Sequence, residues 1–464
     1  MTGKTRDVLM SYNVVFITSD QHRRDACGCY GNAIVQTPNL DALAARGVRF
    51  TQAYCDSPLC APSRASYISG RHVHNHGALT HAINGRSPGT PGNGGIESSE
   101  TLGTMFRKAG YATAAIGKLH VHGETRENDL GFDVRAHRFY TYDYEDYIAA
   151  VGEDRVEAYL SGKDRDDELK YNTALAPVEL AEPLMQDSLT TATSIDFIQR
   201  HTDRPFFIHV GLEKPHPPWT TQPRFLDLYD PDLVPLPESR HEWWEKAEPR
   251  FPFMTGKGFN CDRDRPYSDA KMRNAIAAYY ACISEMDGNV GRILDAIEAA
   301  GLTDRTVVIY SADHGDNLFE HGLEQKHCFY EGPVGVPLIV AVPEGFPRGT
   351  ESAQLTSLID IMPTLAALTG LPVPADADGV SLVPAMRGEV DLNRAVFSEF
   401  YEWRDWPGQM IRYRNWKYIL YRGHSELLFD LAQDPHEMEN LVDDPGYAAI
   451  RDALRERVLD GWTV

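Results

Sequence analysis

VVIYSADHG, residues Val307 to Gly315, is the stretch on which the fold turns. Three aliphatic residues and a tyrosine run without a polar break, then Ser311 and Ala312 lead to Asp313 and His314. A strand with one wet face would place a polar residue at every second position. This one does not, so it reads as a strand buried on both faces, as in a parallel sheet covered by helices. The same design recurs three times. Val14-Val15-Phe16-Ile17 ends in Thr18-Ser19-Asp20-Gln21, and Thr113-Ala114-Ala115-Ile116 ends in Gly117-Lys118-Leu119-His120. Phe206-Phe207-Ile208-His209-Val210 leads to Glu213-Lys214-Pro215-His216.

Helical patterns lie between these runs. Pro38 to Arg46 carries Leu40, Leu43 and Ala44 on one face, with Gly47 as the stop. Asp269 to Ala300 carries Ile276, Tyr280, Ile283, Ile293, Leu294 and Ile297, and Gly301 closes it. Alternating strands and helices predict an α/β fold with a large, mostly parallel sheet flanked by helices. Ligands of such sheets bind at the carboxyl ends of the strands. All four polar clusters fall at that end, so residues far apart in sequence are expected to share one pocket.

The chain has 464 residues, with 45 Lys+Arg against 67 Asp+Glu and a net charge of −22. No basic excess exists to displace counterions from nucleic acid. No apolar run reaches the roughly 18 residues that span a bilayer. The first residues lack the apolar centre of a secretory signal, so a cytoplasmic protein without a membrane partner is expected. Seven cysteines in a chain this long are not a disulfide scaffold. Cys27-Gly28-Cys29 has no second Cys/His pair at zinc-like spacing and receives little weight as a metal site.

Residues 1–370 read as the α/β core, with polar, aromatic and Pro-rich excursions at about 125–190 and 219–268. Trp219, Trp243 and Trp244 are available there to line a cleft. Residues 371–464 read as a smaller C-terminal α+β subdomain. Ala395-Val396-Phe397, Met410 to Tyr413 and Lys417 to Tyr421 predict an antiparallel sheet, and a helix is expected to begin near Gly446.

SPLCAPSRASYISGRH, Ser57 to His72, carries the most unusual chemistry. Pro62 suits a first helical position and Gly70 a stop, which sets Cys60 just ahead of a helix amino terminus. That end favours an anion, and Arg64 adds a fork of donors for tetrahedral oxyanions. Asp20, Gln21 and Asp313 offer oxygen ligands for a hard divalent cation, and His314 a nitrogen. Lys118, His120, His216 and Lys326 offer two ammonium groups and two imidazoles, able to bind a dianion and move protons. Taken one at a time, each has an ordinary reading: a buried thiol, a capping Asp, a solvated Lys, a turn His. The weight lies in several such clusters at one sheet edge. Of His72, His74, His76 and His81, only His76 is kept as a residue that could face the pocket.

Cys60-Ala61-Pro62-Ser63-Arg64 resembles the C-x-P-S-R signature of the type I, formylglycine-dependent sulfatases of the alkaline-phosphatase-like superfamily. Gly110 to His120 is similar to the second signature of that family. Thr37-Pro38-Asn39-Leu40, Ser311 to Asp316, Leu428 to Leu431 and Asp434-Pro435-His436-Glu437 extend the resemblance over nearly the whole chain, in the family's order. Ser57 to Pro62 and Gly117 to His120 resemble the bacterial choline-sulfatase and alkyl- and aryl-sulfatase branch. The resemblance implies an alkaline-phosphatase-like fold and hydrolysis of a small organic sulfate ester. It implies that a separate maturation enzyme converts Cys60 to Cα-formylglycine, whose hydrate supplies the nucleophile. It implies that Asp20, Gln21, Asp313 and His314, with the modified Cys60, hold one divalent cation: Ca²⁺, with Mn²⁺ or Mg²⁺ as alternatives. Arg64, Lys118 and Lys326 would stabilise transition-state charge, His216 would protonate the leaving oxygen, and His120 would take the proton that releases sulfate. Many sulfatases have a second Asp at the position of Gln21 and Asn at that of His314. The Gln also occurs in related phosphonate monoester hydrolases, which lack the Lys-x-His seen here at Lys118 and His120. A phosphonate monoester or phosphodiester hydrolase is therefore the alternative, a non-catalytic anion- or metal-binding relative stands behind it, and homo-oligomers are common among relatives.

Overall fold

Val14, Phe16, Phe207, Val307 and Ile309 point into one apolar cluster, and Val15, Ile17, Ile208, Val210 and Tyr310 into another. Successive strand residues face opposite sides, and here both sides are packed, which is why the runs carry no polar break. The computed structural model describes residues 12–80, 96, 99–121, 129–136, 152, 180–241, 267–402 and 407–460. Most of the expected excursions over 125–190 and 219–268, with Trp243, Trp244, Cys261 and His81, lie outside the described residues.

The main sheet has eight strands in the order β5-β4-β6-β1-β7-β8-β2-β9. They are β1 (Asn13–Asp20), β2 (Val48–Phe50), β4 (Ala112–Gly117), β5 (Val134–Ala136), β6 (Phe206–Pro215), β7 (Thr306–Ala312), β8 (Leu338–Ala341) and β9 (Thr350–Ser352). β5, β4, β6, β1 and β7 are mutually parallel, and β8 runs antiparallel to both of its neighbours. A short parallel pair, β3 (Ala53–Tyr54) and β10 (Thr356–Ser357), stands apart. The helix Pro38–Arg46 has the bounds read from sequence, and the long helix covers Asp269–Ala299. No helix among the described residues is long and apolar enough to cross a membrane.

Strands β11 (Ala395–Phe400), β12 (Gly408–Tyr413), β13 (Trp416–Tyr421) and β14 (Ser425–Asp430) form an antiparallel meander. Met410, Ile419, Tyr421, Leu427 and Phe429 on one face join the main core. Ile411, Tyr418, Leu420 and Leu428 on the other pack on Leu454 and Val458 of the helix Ala448–Asp460.

Two local expectations need correction. Trp219 does not line a cleft. It is fully buried, edge-on to Tyr279, and its indole N–H donates to the Pro215 carbonyl at 2.9 Å. A large amphipathic ring with a partner for its N–H gains more from the core than from a wet rim. Cys60 does not precede its helix but opens it, since the helix runs Cys60–Ser69 with Leu59 as the cap and Pro62 inside the first turn. Gly70 does end the helix, in the left-handed conformation at φ 69°.

Candidate active site

β4, β6, β1 and β7 are consecutive in the sheet, so their carboxyl ends form one edge. Asp20 ends β1, Lys118 follows β4, His216 follows β6, and Asp313 and His314 follow β7. β4 and β6 approach closely there. A Cβ on Gly117 would lie 2.1 Å from the Gly211 carbonyl oxygen, so only glycine lets Lys118 leave the sheet at this height. The helix Cys60–Ser69 brings its first turn over this edge, and all ten of its residues are buried. Ser63 Oγ donates to the Asp313 carbonyl at 2.6 Å, tying that turn to the end of β7.

Arg64 is the central brace. Its Nη2 lies 3.0 Å from Asp20 Oδ2, its Nε 2.8 Å from Asp313 Oδ2, and its Nη1 donates to the Lys118 carbonyl at 2.8 Å. Neither the guanidinium nor the two carboxylates have any exposure. Lys118 Nζ lies 2.8 Å from Asp20 Oδ2 and 3.0 Å from Glu213 Oε1. Glu213 Oε1 is also 3.6 Å from His216 Nδ1, and His216 Nδ1 lies 2.7 Å from the Pro217 carbonyl. Backbone N–H groups of Gln21 and His314 both donate to Asp313 Oδ1, at 3.1 and 2.9 Å.

Cys60 Sγ meets the other half of the cluster. It lies 2.8 Å from Lys326 Nζ, 3.1 Å from His314 Nε2 and 3.8 Å from Asp20 Oδ1. Lys326 Nζ also donates to Gln21 Oε1 at 3.0 Å and sits 3.1 Å from His314 Nε2. Burial disfavours the Cys60 thiolate, but Lys326, His314 and a hydrogen bond with His120 outweigh it and hold the thiol well below its usual range. The two carboxyls diverge. Burial and the Cys60 charge act to raise Asp20, yet Lys118, His216 and Lys326 hold it well below the usual carboxylate range. Burial dominates at Asp313, which is raised to about 6 although Arg64 opposes the shift. Burial and the neighbouring Lys118 hold His216 well below the usual imidazole range. Gln21 at φ 67° and His120 at φ 51° occupy the left-handed region, a strain of order 1–3 kcal/mol each for such residues.

All ten side chains singled out in the sequence therefore gather at one sheet edge. Asp20, Cys60, Asp313 and His314 present ligand atoms within 4.8 Å of one another. That donor set fits a divalent cation: two carboxylates, the Gln21 amide oxygen and an imidazole. The His314 Nδ1 contact to the Gly315 carbonyl at 2.9 Å makes Nδ1 an N–H position and leaves Nε2 as the ring atom that faces the cluster, where it would ligate a cation on giving up its proton. The Lys326 ammonium already touches Gln21, Cys60 and His314, so the spot attracts positive charge. His76 does not face the pocket; its Nε2 lies 2.9 Å from Ser66 Oγ and it braces the helix from behind. His72 and His74 lean on Asp56 and Glu399. Three residues of the site were passed over in the sequence. Glu213 stands in the quoted cluster at the end of β6, and Asp316, which accepts from Gln21 Nε2, ends the quoted run after β7. Asp187 accepts the N–H groups of Glu213 and Lys214 at 2.7 and 3.0 Å from a distant helix, and no local pattern announces it.

A buried thiol beside an arginine that pairs with two carboxylates, on a mostly parallel sheet, fits the class of alkaline-phosphatase-like hydrolases. Residues 12–371 match the family model described as Sulfatase, and residues 319–462 match the one described as N-sulphoglucosamine sulphohydrolase, C-terminal. The chain belongs to the sulfatase family and is a sulfuric ester hydrolase. It is 29% identical over 472 residues to an arylsulfatase of Clostridium perfringens, covering 96% of this chain and 93% of that one. It is 32% identical over 427 residues to a choline-sulfatase of Rhizobium meliloti, covering 89% and 78%. Among solved structures, the phosphonate monoester hydrolase of Agrobacterium radiobacter superposes with a TM-score of 0.79 at 25% identity, covering 97% and 95%.

Proposed function

We propose that the protein hydrolyses the sulfate ester of a small organic alcohol or phenol, with Cys60 oxidised to Cα-formylglycine and one divalent cation bound beside it. The observation that carries this reading is the position of Cys60. Its Sγ sits against Lys326, His314 and Asp20, inside a cluster whose cations an isolated structural thiol would not need. A hydroxyl of the aldehyde hydrate takes the place of Sγ and attacks sulfur. Asp313, raised to about 6, is suited to accept its proton near neutral pH. A cation held by Asp20, Gln21, Asp313 and His314 would supply Lewis-acid polarisation of the sulfate oxygens. Arg64, Lys118 and Lys326 surround the same oxygens with fixed positive charge in a dry site, where it acts most strongly.

His216 is the acid for the leaving oxygen. Lys118 and burial keep it neutral when the site is empty of substrate. An incoming sulfate offsets Lys118 and raises the imidazole, so the proton is taken up as substrate arrives. His120, hydrogen-bonded to Cys60, is placed to take the second hydroxyl proton as sulfate leaves and the aldehyde returns. The sulfur–oxygen bond of the ester and the carbon–oxygen bond of the sulfated hydrate each break once, and one water is consumed per turnover.

Mass spectrometry of the tryptic peptide Phe50 to Arg64 tests the nucleophile, because the aldehyde is lighter than the thiol and traps hydrazines. An unmodified Cys60 in protein that is active on sulfate esters removes it. Gln21 and the likeness to a phosphonate monoester hydrolase favour the alternative substrate class. Parallel rates on p-nitrophenyl sulfate and phenyl p-nitrophenyl phosphonate decide between them, and a clear preference for the phosphonate reverses the order.

A further inference from the structure

Cys27-Gly28-Cys29 lacks a metal-like partner in sequence, yet the fold supplies one. The two sulfurs lie 3.4 Å apart, and Asp41, from the first turn of the helix Pro38–Arg46, brings a carboxylate oxygen within 4.8 Å of both. Gly28 makes this approach feasible, since a Cβ there would lie 2.6 Å from Asp41 Oδ2. Asp41 Oδ1 is fixed by the Cys29 N–H at 2.6 Å and the Thr37 hydroxyl at 3.2 Å. Thr37 Oγ1 also accepts the Gly28 N–H at 2.8 Å and lies 3.5 Å from Cys27 Sγ. Cys27 is buried, whereas Cys29 and Asp41 are partly exposed, so solvent reaches one side of the trio.

From this geometry we infer that Cys27, Cys29 and Asp41 form a metal site for a thiophilic divalent ion such as Zn²⁺, with water as the fourth ligand. None of its ligands belongs to the cluster around Cys60. Two thiolates and a carboxylate suit zinc, which takes sulfur at about 2.3 Å in tetrahedral geometry. Those bonds place two sulfurs about 3.8 Å apart, so the pair need open by only a few tenths of an ångström. The hydrogen bonds to Asp41 are the outer-shell contacts that orient a ligating carboxylate. Binding displaces both thiol protons to solvent and clips the loop leaving Asp20 and Gln21 to the helix Pro38–Arg46. Oxidation to a disulfide would use the same sulfurs, but it would leave the convergence of Asp41 without a purpose and needs a two-electron oxidant.

The test uses the full chain carrying Cys60→Ser, which removes the active-site thiol, reduced and stripped with EDTA. Titration with Cd²⁺ should produce thiolate-to-metal charge-transfer absorption that saturates at one equivalent and that Zn²⁺ competes away. Cys27→Ser/Cys29→Ser should abolish it. If that variant does not fold, Cys27→Leu, which fills the buried position with an apolar side chain, carries the same expectation. Asp41→Asn keeps an acceptor for the Cys29 N–H and should weaken binding roughly tenfold or more. The proposal is overturned if the absorption is absent or survives loss of Cys27, if Asp41→Asn binds as tightly as the parent, or if the peptide mass shows a Cys27–Cys29 disulfide that Zn²⁺ does not prevent.

Discussion

Replacing Lys326 by methionine removes one positive charge from the centre of the site while keeping an unbranched side chain of similar reach. The ammonium touches Gln21 Oε1, Cys60 Sγ and His314 Nε2 at 2.8–3.1 Å. Two of these lose a donor or a charged neighbour, at roughly 1–3 kcal/mol for each buried group left unsatisfied. Against that, keeping an ammonium out of water costs several kcal/mol, and the substitution relieves it. The two terms nearly offset, which leaves a stability change within about 2–3 kcal/mol. For a chain of 464 residues, 1 kcal/mol moves the melting temperature by roughly 1 °C. The melting temperature should therefore shift by no more than about 3 °C.

The effect on turnover is different in kind. A preorganised donor aimed at developing charge is worth about 10²–10³ in kcat. Lys326→Met should lose that factor on p-nitrophenyl sulfate while circular-dichroism melting stays close to the parent. A melt lowered by 8 °C or more with kcat per folded molecule unchanged would show that Lys326 serves the fold, and the transition-state role would be lost.

Leaving groups offer a second readout. His216→Ala should slow alkyl sulfates and phenyl sulfates with poor leaving groups by about 10²–10⁴, and p-nitrophenyl sulfate far less. A series of aryl sulfates should then show a steeper dependence on leaving-group acidity, and an unchanged slope removes His216 as the acid. Glu324 is buried and its carboxyl is raised to about 8, chiefly by burial, against a hydrogen bond from Tyr267. A carboxyl raised on folding keeps its proton while the unfolded chain loses it, so its contribution falls as pH rises from about 4.5 to 8, by up to about 1.4 kcal/mol per pH unit. The melting advantage of Glu324→Gln over the parent should accordingly grow across that window and level off above it; parallel curves would refute the assignment. Lys417 Nζ lies 2.9 Å from Glu331 and 2.7 Å from Glu437 beneath the antiparallel sheet. Lys417→Met should cost about 3–5 kcal/mol in a thermal or urea melt by leaving the buried Glu437 carboxylate without its cation, while Glu331 keeps Arg24 at 2.8 Å, and adding Glu437→Gln should restore part of it.

The four strand runs were legible because burial on both faces leaves a pattern that needs no tertiary knowledge to read. Asp20, Lys118, His216 and Asp313 were legible for a related reason, since each ends its strand or directly follows it and strand order alone brings such ends together. Asp187 was not legible: it reaches Glu213 and Lys214 from a helix, and a hydrogen bond between distant segments writes no period into either. Trp219 was misread because a tryptophan in a Pro-rich turn has the same local sequence whether its ring faces solvent or Tyr279. Asp41 illustrates the opposite failure. Its place in the first turn of a helix was readable, but its closeness to Cys27 and Cys29 depends on Gly28 leaving room for a carboxylate.

A net charge of −22 and a pocket that seeks an anion are compatible because they act over different ranges. Surface charges are screened over about 8 Å at physiological ionic strength. Arg64, Lys118 and Lys326 are withdrawn from solvent, so their fields are screened far less and are felt mainly by a group already inside. Such cations would be intolerably costly alone. Each is therefore tied to a carboxylate or to Cys60 at a strand end: Arg64 to Asp20 and Asp313, Lys118 to Asp20 and Glu213, Lys326 to the Cys60 sulfur. The pairing that lets the fold hold these charges also fixes their positions before any substrate arrives. Here the stability of the buried cluster and the preorganisation of the site are the same set of contacts.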